Sequence, residues 1–192
     1  MKQQKIDFLL SEEIANNVET TLNLSDQNKE IFNAINIFYK VLKNGKKIYT
    51  FGNGGSCSQA EHFSTEFLVR LNKDIKRKPY PIIPLTFNTS YLTAYTNDFS
   101  FNDIFMNSIK GLIQNGDCIW VFSTSGKSKN IIKAIEYSKK NKIKIVGFFG
   151  TETNKFCDVN VCVKNNKTAN IQEAHLFLGH FILNQVEKLL IK

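Results

Sequence analysis

The sequence predicts an α/β protein, a parallel sheet sandwiched between helices, and three observations predict it. After Gly45 the pattern runs strand, loop, helix, and repeats. Several strand candidates are continuous apolar runs, which suits strands covered on both faces rather than one. Two of those runs, 46–51 and 118–122, each end in a short polar loop that opens a helical pattern. The first loop reads Gly52-Asn53-Gly54-Gly55-Ser56 and the second Ser123-Thr124-Ser125-Gly126-Lys127-Ser128. Sheets of this kind bind ligands at the carboxyl ends of their strands. A loop of backbone N–H groups and hydroxyls at a helix N-terminus suits an anion. Two such loops in one small domain point to a phosphorylated small molecule.

The elements follow in order. A first helix covers Phe8 to Leu22. A second carries Ile31, Ile35, Phe38 and Leu42 at three- and four-residue steps, with Ser25 or Asp26 as its cap and Gly45 just past its end. Their apolar stripes are core or subunit packing. Strands are predicted at 47–51, 82–86, 118–122, 143–148 and 159–163. Helices are predicted near 56–70, 102–113, 128–140 and 170–190. Ser56 and Gln59 have capping-box spacing at the start of the 56–70 helix.

With 192 residues the chain is expected to be one domain with a full core. Its 25 Lys and Arg against 17 Asp and Glu give a net charge of +8. The lysines are dispersed, so nucleic acid is not the expected partner. The one dense run, Lys73, Lys76, Arg77 and Lys78, precedes Pro79, Pro81 and Pro84 and reads as a solvated loop. No apolar run approaches the ~20 residues of a membrane span. Met1 to Leu10 lacks a signal-peptide pattern, so a cytoplasmic protein is expected. Cys57, Cys118, Cys157 and Cys162 form no C-x-x-C pair; Cys118 and Cys162 lie in strand-like runs and are expected to be buried thiols without disulfides.

His62 and Glu66 lie four apart on one helix face. They suit a metal pair, an acid/base pair or a surface hydrogen bond, and spacing alone favours the last. The C-terminal helix carries Gln172, Glu173, His175 and His180. Gln172 and His180 are about 80° apart around an ideal helix and could lean toward one site, whereas His175 is about 140° from His180. Asn97-Asp98 sits in a polar break, as a turn or helix cap would.

Taken together, the two loops, His62-x-x-x-Glu66, Asn97-Asp98 and Ile171-Gln172-Glu173-x-His175 leading to His180 make the chain resemble the sugar isomerase (SIS) domain family, and within it the phosphoheptose isomerases. The resemblance runs nearly end to end. It implies a flavodoxin-like three-layer sandwich with five parallel strands. It also implies a single domain over 1–192, a helical region about 1–45 used in oligomerisation, and a homotetramer with active sites at subunit interfaces. The implied activity converts D-sedoheptulose 7-phosphate to D-glycero-D-manno-heptose 7-phosphate through an enediol, for lipopolysaccharide or capsule precursors. By position, Ser123, Thr124, Ser125 and Ser128 would bind phosphate. Asn53, Gly54, Gly55, Ser56, Asn97, Asp98 and Gln172 would line the sugar. Glu66 and His180 match the proposed base and acid, with Glu66 also facing substrate. His62, Glu66, Gln172 and His180 match positions that hold zinc in some members. Asn170 and Lys127 stand where many members carry arginine and asparagine, and Ala169 where some carry aspartate. Other SIS proteins bind a replication initiator without catalysis, act on a different heptose phosphate, or sense sugar phosphates beside a DNA-binding module.

Overall fold

The computed structural model describes residues 3–191. Helix α1 (Gln3–Leu22) leads through a 3₁₀ turn (Asn23–Gln27) into α2 (Asn28–Lys43). Then follow β1 (Ile48–Phe51), α3 (Gly55–Leu68), β2 (Ile82–Pro84), α4 (Thr89–Asp98), a 3₁₀ turn (Phe101–Asp103) and α5 (Ile104–Leu112). The rest is β3 (Cys118–Ser123), α6 (Lys129–Lys140), β4 (Lys144–Phe149), β5 (Val159–Cys162) and α7 (Thr168–Leu190). All four strand pairings are parallel and the order is β2-β1-β3-β4-β5. This is the flavodoxin-like order, whose switch point lies between β1 and β3.

The continuous apolar strands have the cause expected of them. In β3 every residue is buried. Cys118, Trp120 and Phe122 pack on one face with α2, α3 and α7. Ile119 and Val121 pack on the other with α5 and α6. Period-two alternation therefore serves two cores rather than a core and solvent. Because α3 and α6 follow β1 and β3 on opposite faces, both polar loops meet at the crevice between those strands.

Several local expectations are corrected. Ser25 and Asp26 do not cap α2: both lie in the 3₁₀ turn, and the Ser25 hydroxyl donates back to the Leu22 carbonyl at 2.9 Å. Residue Gln27 precedes α2 and makes no side-chain cap. Ser56 and Gln59 form no capping box either. The residue before α3 is Gly54, at φ 54°, and Ser56 is already inside the helix. That positive φ suits glycine and turns the chain sharply off β1. The second strand stops at Pro84, and the 102–113 helix begins at Ile104 after the 3₁₀ turn. Helix α4 was not foreseen at all, although Asn88 accepts a hydrogen bond from the Tyr91 N–H as a regular N-cap. All four cysteines are free; Cys118 is buried, Cys162 only half-buried. No described helix is long and apolar enough to cross a membrane.

Candidate active site

Helices α3 and α7 lie side by side on one face of the sheet and meet at a glycine. Phe63 of α3 stacks on Trp120 of β3 with ring centroids 4.8 Å apart. A Cβ on Gly179 of α7 would fall 2.0 Å from the Phe63 ring, so only glycine allows this approach. The residues next to that contact are His62 and His180. Their Nε2 atoms are 2.7 Å apart and the rings meet edge to face. Glu66, one turn on from His62, places Oε1 3.5 Å from His62 Nε2. One ligating atom from each of the three lies within 4.8 Å of the others. The group is reachable: the His62 side chain is 40% exposed and that of Glu66 21%. Burial, and then the neighbouring His62, push the His180 pKa below its ordinary value, against the opposite pull of Glu66. At neutral pH His180 is thus an uncharged ring that can give or take a proton.

The far end of α3 is held by a buried arginine. Arg77 Nη2 donates to the Glu66 carbonyl and Nη1 to the Phe67 carbonyl, both at 2.9 Å. Its Nε pairs with Glu187 of α7, which also accepts from Asn72. The Arg77 and Glu187 side chains are 2% and 0% exposed. The expectation of a solvated run at 73–78 therefore fails at Arg77. Its planar fork satisfies a helix C-terminus and a buried carboxylate at once, which a lysine cannot do.

At the crevice, the second loop folds on its own hydroxyls. Ser123 Oγ accepts from the Gly126 N–H and Ser125 Oγ from the Lys127 N–H, each at 3.2 Å. Ser128 precedes α6 and makes no side-chain cap, as Gly54 makes none for α3. Neither helix start is closed by its own preceding side chain. Lys127 points outward, 3.5 Å from Glu152 Oε1. The two loops are joined by paired amides. Asn53 Nδ2 donates to Asn130 Oδ1 at 3.0 Å, and Asn130 Nδ2 donates to Asn53 Oδ1 at 2.9 Å.

Among the expected site residues, His62, Glu66 and His180 come together. Gln172 sits two turns nearer the start of α7, about 12 Å along the axis from His180. Its amide lies over Gly55, where a Cβ would be 2.6 Å from Nε2. Its carbonyl accepts from Gln59 Nε2 at 2.5 Å, which explains Gln59 better than a capping role. Asn97 and Asp98 end α4, exposed and bonded to each other at 2.9 Å; no hydrogen bond among the described residues ties them to either loop. His175 stands apart, fully buried, its Nε2 donating to the Phe149 carbonyl at 3.0 Å. Burial pushes its pKa down to about 4. Asn170 faces α1 rather than the site, donating to Asn16 at 2.7 Å. Sequence reasoning missed Gln59, Arg77, Asn130 and Glu187 as organisers of the site. The only available signal was an arginine among lysines.

The SIS domain family model matches residues 12–150. The phosphoheptose isomerase of Campylobacter concisus is 42% identical over 150 residues, covering 77% of this chain and 78% of the relative. That of Shewanella sediminis is 36% identical over 188 residues, covering 94% of each. The solved phosphoheptose isomerase of Francisella tularensis superposes with a TM-score of 0.87 at 26% identity, covering 98% of this chain and all of that one. The Neisseria gonorrhoeae phosphoheptose isomerase gives 0.85 at 25% identity, covering 95% and 99%. With a parallel sheet in this order, two anion-ready loops at its switch point and relatives of this identity over most of its length, the chain belongs to the SIS-domain family and, within it, to the phosphoheptose isomerases.

Proposed function

We propose that the protein interconverts D-sedoheptulose 7-phosphate and D-glycero-D-manno-heptose 7-phosphate, supplying heptose precursors for lipopolysaccharide or capsule. The observation that carries this is the convergence of His62, Glu66 and His180 from two helices far apart in sequence. Ser123, Thr124, Ser125 and Ser128 hold the phosphate. Asn53, Gly54, Gly55, Ser56, Asn97, Asp98 and Gln172 line the sugar chain. The seven helical rises from Gly55 to His62 span about 10 Å, a length that suits an extended seven-carbon chain.

The ketose carries two protons on C1 and a carbonyl at C2. Glu66 takes one C1 proton while His180 protonates O2, and the product is an enediol. Glu66 then returns its proton to C2 while His180 takes the proton from O1, leaving the aldehyde. The two groups end as they began. Two imidazoles and a carboxylate are a donor set that zinc accepts with a position left open, so His62, His180 and one oxygen of Glu66 would hold it, the second Glu66 oxygen being left to take the C1 proton. A zinc ion bound there would polarise the substrate's oxygens. Gln172, whose amide oxygen is not a usual zinc ligand, is better placed over the sugar.

Helix α1 supports a role for residues 1–45 in assembling a homotetramer with sites at subunit interfaces. It turns Asn16, Asn17 and Thr20 toward the rest of the chain and leaves Phe8, Leu10, Ile14 and Val18 exposed. Phe177 and Phe181, flanking His180, are exposed as well. The test is a proton NMR time course of purified protein with sedoheptulose 7-phosphate, with and without added zinc. Anomeric signals of an aldoheptose 7-phosphate are expected to grow. Their absence, or turnover of a different heptose phosphate only, overturns the assignment.

A further inference from the structure

We infer that Asn130 is a positioning residue, fixing the Asn53 amide so that it presents one free N–H to the sugar. The inference rests on the sugar-phosphate reading of the crevice and adds a residue and an atom to it. Asn130 is 2% exposed in the first turn of α6. Its Oδ1 accepts from the Ile131 backbone N–H at 2.9 Å. That N–H can only donate, so it determines which end of the Asn130 amide is oxygen. The Asn130 Nδ2 end is therefore the donor to Asn53 Oδ1, and Asn53 Nδ2 must donate back to Asn130 Oδ1. A side-chain amide that could otherwise turn over freely is held one way round. Of the two Asn53 Nδ2 hydrogens, one is used in the pair. The other is left at the half-buried tip of the β1 loop, at the carboxyl end of the strand. The same pair ties the loop that faces the sugar to the helix that follows the phosphate loop, and so sets the spacing between the two subsites.

Isothermal titration with sedoheptulose 7-phosphate and, separately, with inorganic phosphate tests this. Asn130→Ala and Asn130→Asp are both expected to weaken sugar-phosphate binding about threefold to tenfold, the worth of one neutral hydrogen bond. Inorganic phosphate, held in this reading by the Ser123–Ser128 loop, should bind Asn130→Ala as before. The Asn53→Ala/Asn130→Ala double variant should bind no more weakly than Asn53→Ala alone, because Asn130 acts through Asn53. Asn130→Asp keeps an acceptor for the Ile131 N–H and so keeps the start of α6. Equal losses for phosphate and sugar phosphate, multiplied losses in the double variant, or no loss at all would overturn the inference. In the unaltered protein, the Asn53 side-chain amide proton not paired with Asn130 should shift in ¹⁵N–¹H spectra on adding the sugar phosphate, and an unmoved signal counts against it equally. If sugar phosphate binds in this pattern without turnover, the isomerase assignment falls while the role of Asn130 stands. If the unaltered protein does not bind sugar phosphate, both fall.

Discussion

The seam between α3 and α7 and the loop between β3 and α6 are built in opposite ways. The loop is local. Six consecutive residues, Ser123 to Ser128, make its turn, its hydroxyls and its helix start, and its hydrogen bonds run two or three residues along the chain. The seam is not local. His62 and His180 are 118 residues apart, and they meet because Gly179 lets α7 settle onto Phe63 and because Arg77 and Glu187 lock the two helices at the other end. In the proposed reaction, binding thus rests on a motif that can be read in one stretch, and proton transfer on a packing arrangement. Damage to the two should separate, the loop changing KM and the seam changing kcat.

The largest effect is expected from Glu66→Gln, which keeps the shape of the seam and removes its base. Turnover should fall about 10³-fold with the fold intact, measured by the NMR assay beside a thermal melt. Next is Gly179→Ala. The added methyl overlaps the Phe63 ring, so α7 must move off α3 and carry His180 from His62. Overpacking of this kind should cost about 1–3 kcal/mol in denaturant melts and lower kcat more than it raises KM. An unchanged kcat would mean that the seam tolerates a gap and that the comparison above is wrong.

Ser125→Ala tests the other side. Loss of a hydroxyl donor to a charged phosphate should raise KM by the equivalent of about 1.5–3 kcal/mol and leave kcat nearly as it was. His175 offers a contrast within α7 itself. Buried and held neutral, it resists protonation in the folded state, with its pKa pushed down to about 4 from an ordinary 6.5. As pH falls below 6.5 the unfolded chain takes this proton first, so stability present above pH 6.5 drains away toward pH 4, by about 3 kcal/mol. His175→Leu should flatten that part of the stability profile; an unaltered acid slope would show that His175 does not titrate as described. The smallest effect belongs to Lys127→Ala. Its ammonium faces Glu152 with both side chains more than half exposed, so KM should change by less than twofold.

How much was legible follows the same divide. The strands were placed within about two residues because continuous burial on both faces leaves an apolar run that the sequence displays directly. Helix α4 was overlooked since its aromatic residues, Tyr91 and Tyr95, stack in a row with Phe99 just past its end and none is fully buried, and its one clear signal was the Asn88 cap. The Ser56–Gln59 spacing misled because a capping box requires Ser56 to stand before the helix. Gly54 takes that place, leaving Gln59 free to reach α7.

What the sequence determined by itself was the parallel α/β fold and the two glycine- and hydroxyl-rich loops, because each depends on residues that are neighbours along the chain. The tertiary structure alone decided that His180 and not His175 would join His62, that Arg77 would leave the basic run for the interior, and that Asn130 would orient Asn53. The physical reason is range. Turn chemistry and strand burial are written in local residue order, whereas the meeting of two helices is set by which side chains leave room between them, and a single hydrogen in place of a methyl at Gly179 made that room.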